Sequence, residues 1–333
     1  MSSLQVAVAE PGLLISAFWH LASSARLGDS RCRFDTAVST ATMSTMFEPF
    51  TRNLWPDVAR FARRLPNFDY LKTIVRLHLD EKRPGGCYVW RAEERVAAFC
   101  GLNYLNADDA WLYGMRVAPS FHNRGIATRF TCALIATAGR DGRSWVGLNT
   151  SDRPSHRPVF RIAENLGLEL EGIYCNDGFW SLRRRLAVPR LRRHPDIFEE
   201  FLKQGRTTIF HDTPGWFWSR LLPARRDWVN AHGYMLQGIP VHVTRRTHPE
   251  HRRSATINLL ELPPDPQRLL ASLLAFARGR NWIVVNYPLE WKRTFRSAWQ
   301  ELVPTLRRDH HYTSAERVYG KYLRAPTARV ISS

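Results

Sequence analysis

Tyr113-Gly114-Met115-Arg116-Val117-Ala118-Pro119-Ser120-Phe121-His122-Asn123-Arg124-Gly125-Ile126-Ala127-Thr128-Arg129-Phe130 reads as a strand, a short basic loop and the start of a helix. Gly125, Ile126 and Ala127 put small residues where the helix opens. The first N–H groups of a helix have no internal partner, and the helix dipole favours an anion there. Small side chains let a phosphate approach those donors, so the loop is expected to cradle a pyrophosphate. It is not a P-loop, because no Gly-Lys-Ser/Thr follows. It is not a dinucleotide fingerprint, which needs three spaced glycines.

Outward from this loop the pattern is regular. Residues 45–64 read as helical, Pro66-Asn67 breaks the run, and residues 68–79 read as a second helix with Leu71, Ile74, Val75 and Leu79 on one face. Strands are expected at 87–91, 95–105 and 111–117, an antiparallel meander that leads into the loop. The helix over 125–138 carries Ile126, Phe130, Ala133, Leu134 and Thr137 at helical spacing. A strand at 145–150, parallel to 111–117 if the crossover is right-handed, and a helix at 158–166 follow. Residues 168–174 and 179–184 read as a hairpin around Asn176-Asp177-Gly178. A first strand is expected at 32–38, with residues 1–30 an extension or peripheral segment.

This order and the loop together resemble the GCN5-related N-acetyltransferase (GNAT) superfamily over about residues 31–184. Val117-Ala118-Pro119 and His122-Asn123-Arg124-Gly125-Ile126-Ala127 match its acyl-CoA loop, with His122 where the family usually has Gln or Arg. The resemblance implies an α/β (α+β) fold, a mixed and largely antiparallel sheet flanked by helices, with acetyl-CoA as co-substrate and no metal. It implies that N–H groups of His122, Asn123, Arg124, Gly125, Ile126, Ala127 and Thr128 hold the pyrophosphate, with charge added by Arg124 and Arg129. Backbone groups around Met115, Arg116 and Val117 would pair with the pantetheine arm. Asn149, at a strand end, is a candidate cofactor or acceptor contact.

The catalytic groups are less determined. Tyr113 stands near where many relatives carry a Glu, and a phenol with a reference pKa near ~10 is a poor base at neutral pH. His156 or a water chain is the alternative. The family's general acid, a Tyr four residues before the Gly of "L-G-F", corresponds to Ala163, which leaves Tyr174 or unassisted departure of the thiolate. Asp69 and Tyr70 are candidates to line the acceptor pocket, Asp69 pairing an ammonium; a helix cap and a core aromatic are the structural alternatives.

The second half repeats part of the grammar: strand 254–262, helix 265–278, strand 282–287, helix 290–303 and a closing strand or hairpin at 311–323. Its corner reads Leu262-Pro263-Pro264-Asp265-Pro266-Gln267. Prolines remove donors and an acid repels phosphate, so this corner is not expected to bind CoA. The domains expected are therefore an acetyl-CoA-binding catalytic domain at 31–184, a basic linker at 185–196, and a second, degenerate GNAT-like α/β domain at 197–326. The tandem arrangement resembles two-domain histidine N-acetyltransferase-like proteins, with local likenesses at Asp69-Tyr70-Leu71, Met115–Pro119 and Thr208-Ile209-Phe210-His211-Asp212. That likeness points to a small amine or amino acid as acceptor.

The chain has 333 residues, 48 Lys+Arg against 30 Asp+Glu, and a net charge of +18. Residues 183–333 hold 27 of the basic and 12 of the acidic residues, so the excess lies in the second half. A solvated basic face is the favoured reading, with RNA kept as an alternative partner. A non-catalytic CoA-binding module is the third. Cys32, Cys87, Cys100, Cys132 and Cys175 are widely spaced, which argues against a disulfide framework or a zinc site. No apolar run reaches the ~18–20 residues that span a bilayer, so a cytoplasmic protein without a membrane partner is expected. His248-Pro249-Glu250-His251 lies among arginines and reads as a loop. Trp216-Phe217-Trp218 reads as packing.

Overall fold

A computed structural model describes residues 47–323, apart from 64, 66, 67, 81, 181–190, 213–216, 247–253, 278–281 and 303–310. The strand expected at 32–38, the segment 1–30 and the loop His248-Pro249-Glu250-His251 lie outside the described residues.

The first half begins with β1 (Phe47–Pro49), a 3-10 turn at Arg52–Leu54, α1 (Trp55–Ala62) and α2 (Phe68–Leu79). The single helix expected over 45–64 is thus corrected to a strand, a turn and an eight-residue helix. Prolines decide this. Pro49 lacks a donor and sits on an edge strand, while Pro56 stands in the first turn of α1, where its fixed φ starts a helix. The meander β2 (Gly85–Ala92), β3 (Arg95–Tyr104) and β4 (Asp109–Val117) follows, then α3 (Ile126–Arg140), β5 (Trp145–Ser151), α4 (Arg157–Asn165) and β6 (Glu169–Trp180).

The second half holds β7 (Arg192–Arg193), α5 (Ile197–Lys203), β8 (Thr208–Asp212), β9 (Phe217–Arg220), α6 (Arg226–Asn230), β10 (Gly233–Leu236) and β11 (Ile239–Arg246). It ends with β12 (Ser254–Leu259), α7 (Pro266–Ala277), β13 (Trp282–Pro288), α8 (Lys292–Leu302) and β14 (His311–Tyr322). Among the described residues no helix is long and apolar enough to cross a membrane.

One sheet runs through both halves in the order β1-β2-β3-β4-β5-β14-β6-β13-β12-β11-β10-β7, and β8 and β9 form a separate hairpin. Pairing is antiparallel except for β4 with β5 and β12 with β13. Each parallel pair is joined by a crossover containing one helix, α3 or α7. The halves exchange their last strands at the centre. β14 pairs with β5 over Trp145–Ser151, and β6 pairs with β13 from Tyr174 to Trp180.

The hairpin expected around Asn176-Asp177-Gly178 is corrected by this exchange, because those residues lie in the middle of β6. Their polar side chains suggest a turn, but the second half supplies them with hydrogen-bond partners. Asn286 Nδ2 donates to Asn176 Oδ1 at 3.0 Å, and Asp177 Oδ2 accepts from Tyr287 Oη at 2.6 Å and Trp299 Nε1 at 3.1 Å. The C-terminal segment is a single strand rather than a hairpin.

Side chains alternate across the strands and build a core on each face. On one face α3, α4, α7 and α8 cover Leu112, Val146 and Tyr319 in the first half and Val241, Ile257 and Ile283 in the second. The period of α3 buries Ile126, Phe130, Leu134 and Ala138. On the other face α1, α2 and the β8–β9 hairpin cover Trp111, Tyr113, Trp145, Tyr174 and Val318. A buried ion pair ties the hairpin to β4. Arg220 Nε donates to Asp109 Oδ1 at 2.6 Å, Arg220 N to Asp109 Oδ2 at 3.0 Å, and the two side chains are 7% and 0% exposed.

Candidate functional site

The site begins with a departure from regular pairing. β4 and β5 are hydrogen-bonded only over Asp109–Leu112 against Trp145–Leu148. Gly114 has φ +66, and the β3–β4 register slips so that Gly114 and Met115 together face Cys100. A glycine in this left-handed conformation carries a bulge at little cost. Beyond it β4 bends away from β5, while β5 stays paired with β14 on its far side. The facing edges from Tyr113 and from Asn149 onward are left unpaired with each other.

The loop after β4 is shaped by two more left-handed residues, Asn123 (φ 61) and Gly125 (φ 70), the latter capping α3. Among the described residues no side chain caps α3, and the N–H groups from Asn123 to Thr128 donate to no backbone carbonyl. Successive free donors in such turns form an anion-binding concavity. His122 Nε2 lies 3.0 Å from the Val117 carbonyl and steadies the loop. Arg124 turns outward to Glu93 at 2.6 Å, and Arg129 Nη2 donates to the Arg124 carbonyl at 3.1 Å.

A cavity of about 730 Å³ joins the loop to the splayed strands. Met115, Val117, His122, Asn123, Gly125, Ile126, Ala127, Thr128 and Asn149, all marked out by the sequence, line it, and so does Tyr113. Arg116 and Arg124 do not. Arg116 Nη1 donates to its neighbour's carbonyl, that of Met115, at 2.8 Å. The walls also include Gly114, Thr131, Val159 and Ile162. Leu112, Met115 and Ile162 belong to the core under α3 and α4, while Tyr113 belongs to the core on the other face. The cavity therefore reaches the splay between the two strands.

At the splay the cavity is lined by Tyr113 on β4 and Asn149 on β5; Glu316 on β14 does not line it and stands behind Asn149. The Tyr113 hydroxyl lies 2.6 Å from His78 Nε2, and His78 Nδ1 lies 3.3 Å from the Arg83 carbonyl. A carbonyl only accepts, so Nδ1 carries the proton and Tyr113 donates to Nε2. Burial, with the Arg83 charge adding to it, pushes His78 down to about 4, so it stays neutral. Asn149 Nδ2 donates to Glu316 Oε2 at 3.3 Å. Glu316 is 9% exposed, and burial pushes its carboxyl up to about 7 against the hydrogen bonds that favour the charged form.

The other candidate residues stand apart. His156 Nδ1 is 2.8 Å from Thr150 Oγ1 in the turn before α4; burial, then the charges of Arg153 and Arg116, lower its pKa. It does not line the cavity. Tyr174 stacks on Trp218 with ring centroids 4.5 Å apart and lines a separate cavity of about 390 Å³ with Arg206 and Glu290. Asp69 and Tyr70 fall in the first turn of α2, where the backbone alone is described. Ala163 is fully buried in the helix-side core.

Sequence reasoning missed Gly114 and Glu316. A lone glycine in a strand pattern is a bulge signal, so Gly114 was within reach. Glu316 has no such signal, because it meets Asn149 across 167 residues of chain.

Residues 44–157 match the acetyltransferase (GNAT) family profile. No curated protein matches the chain. Among solved structures, a Thermoplasma acidophilum protein described as an acetyltransferase shares 13% identity, with 84% of this chain and 94% of that one covered and a TM-score of 0.46. A GCN5-related N-acetyltransferase from Kribbella flavida shares 14%, with 84% and 71% covered and a TM-score of 0.41. The family profile spans the meander, the bulge, the loop and the start of α4. Over residues 44–157, then, the chain carries a domain of the GNAT acetyltransferase family.

Proposed function

We propose that the chain is an acyl-CoA-dependent N-acetyltransferase that moves the acetyl group of acetyl-CoA to a primary amine of a small molecule or amino acid. The observation that carries this is the cavity that runs from the uncapped end of α3 through the strand splay to Tyr113 and Asn149. The fit to CoA rests on the free N–H groups of Asn123–Thr128 for a pyrophosphate. It rests also on the unpaired edge of β4 beyond Gly114 for the amides of a pantetheine arm. When bound, acetyl-CoA supplies the thioester carbonyl that an amine attacks. The protein's part is to hold that carbonyl and the amine together and to remove a proton.

In this reading residues 31–184 form the cofactor half and 197–326 a second half that covers the acceptor side. The second half's own corner supports the division. Asp265 Oδ1 accepts from Arg268 N at 2.9 Å, so a carboxylate of the chain occupies the helix end that stays open in the first half. Three arginines of the second half are engaged within the fold, which supports the same role. Arg220 is spent on Asp109, Arg226 pairs with Glu199 at 2.9 Å, and Arg225 lies over Trp228 at 4.4 Å.

Calorimetric titration of acetyl-CoA tests the reading. The expected result is micromolar binding by the wild type that a folded Gly125→Glu variant loses by at least 100-fold. A Cβ at Gly125 meets just the Arg129 guanidinium, 3.6 Å away, so the variant acts by charge and backbone strain in the cradle rather than by a clash. Absence of binding by the wild type overturns the proposal. Binding without turnover of any amine would make the chain a CoA-binding module.

A further inference from the structure

The acetyl-transfer reading leaves the proton of the acceptor unassigned. An amine is an ammonium at neutral pH and attacks a thioester only after losing that proton. Tyr113 is poorly suited to take it, because its hydroxyl already donates to His78. His156 is tied to Thr150 outside the cavity.

β14 brings a third group next to the cavity, hydrogen-bonded to the lining residue Asn149. In register Glu316 stands opposite Ser151 on β5 and Tyr174 on β6. Ala315 and Tyr319 point into the helix-side core and Val318 into the other, so Glu316 shares the face of Val318, Tyr113 and Tyr174. Asn149 lines the cavity and holds the Glu316 carboxylate by its amide. The charged and titratable groups around Glu316 are Asp152 and Arg153, just past β5, and Tyr174 on β6. The next residue, Arg317, is bound to Asp152 at 2.7 Å. Among the described residues Glu316 has no ion pair. The second half therefore buries a carboxylate that has a hydrogen bond but no ion pair among the described residues, next to the cavity of the first, an arrangement that costs stability.

We propose that Glu316, delivered by the exchanged C-terminal strand, takes the proton of the acceptor amine, so that the active site is complete only when both halves contribute. This rests on the acetyl-transfer reading. The balance is simple. The ammonium gives one proton to the Glu316 carboxylate, directly or through one water. The freed nitrogen forms a bond to the thioester carbon. The carbon–sulfur bond then breaks, the sulfur leaves as thiolate and takes the second nitrogen proton, and Glu316 returns its proton to solvent. The raised pKa fits the role, since a base poised near neutrality is partly ionised and still basic enough to accept.

The test compares wild type with Glu316→Gln in three measurements: acetyl-CoA binding, acetylation of free amino acids, and acetylation of hydroxylamine, which is largely unprotonated at neutral pH. Expected are unchanged acetyl-CoA binding, about a 100-fold or greater loss of kcat/KM with the best amino acid at pH 7, and a loss under tenfold with hydroxylamine. The acidic limb near pH 7 in the wild-type kcat/KM profile should vanish in the variant. Equal losses with both nucleophiles, or an unchanged limb, overturn the proposal. If Glu316→Gln does not fold, Glu316→Asp carries the test: the limb persists, and the amino-acid reaction falls at least tenfold more than the hydroxylamine reaction. Equal effects there overturn it too. Failure of the acetyl-transfer reading shows separately, as a wild type that does not bind acetyl-CoA.

Discussion

At the scale of single residues, two buried groups set opposite pH dependences. The Glu316 carboxyl has an ordinary value of 4.5 and sits at about 7 in the fold; His78 has 6.5 and sits at about 4. The Glu316 contribution is fully present below pH 4.5 and is lost as the pH rises through 7. The His78 contribution is present above pH 6.5 and is lost as the pH falls through 4. Between pH 4.5 and 6.5 the two slopes cancel. Glu316→Gln removes one of them, so its stability relative to wild type should climb by about 3 kcal/mol from pH 4.5 to 7 and then level off. Urea midpoints taken every half pH unit would show this, and a constant difference would refute it. Neither group is conspicuous in the sequence. His78 stands in an amphipathic helix, and Glu316 in a strand whose partners are fixed by the exchange, whereas the donors at 123–128 were legible because loop and helix end are local.

At the scale of elements, the meander, α3, β5 and α4 follow from periodicity, because each buries one face and connects through a short turn. β6 does not. Its central Asn176-Asp177 is stabilised by Tyr287, Trp299 and Asn286, residues more than 100 positions away. The bulge in β4 is the element that opens the cleft, and it leans on glycine twice. Gly114 supplies the left-handed φ, and Gly101 lets the Tyr113 ring pass, since a Cβ there would lie 2.6 Å from a ring carbon. Gly114→Val should cost roughly 1–2 kcal/mol of stability and weaken acetyl-CoA binding by closing the splay. Gly101→Ala should displace Tyr113 and break its bond to His78 while sparing the phosphate loop. Calorimetry with acetyl-CoA and with CoA lacking the acetyl group separates the two effects. Gly114→Val weakens both ligands alike, and Gly101→Ala acts on the acetyl end. The reverse pattern would show that the bulge does not open the cleft.

At the scale of the molecule, the two halves share a pattern of a parallel strand pair joined by a helix. Trp145 and Asn149 recur at the same spacing as Trp282 and Asn286, each pair on the second strand of a parallel pair. What the sequence hides is that the halves trade their final strands, because register between distant strands leaves no local mark. The exchange makes each half the other's edge cover. Without β14, β5 and β6 would each present an unpaired edge, and the fully buried Val318 and Tyr319 would leave both cores. The buried Asp109–Arg220 pair adds a second tie, which strands a buried charge if either partner goes. A chain ended after residue 310 should therefore be insoluble or molten rather than a smaller acetyl-CoA-binding protein. Residues 41–190 expressed alone should behave the same way, and co-expression with 191–333 should restore a soluble complex. Size-exclusion chromatography and near-UV circular dichroism of the purified pieces decide the matter. A soluble, folded 41–190 fragment would mean that the exchanged strand is an ornament on a self-sufficient domain. A complex formed only from both pieces would mean that the first half folds only with the strand it receives from the second.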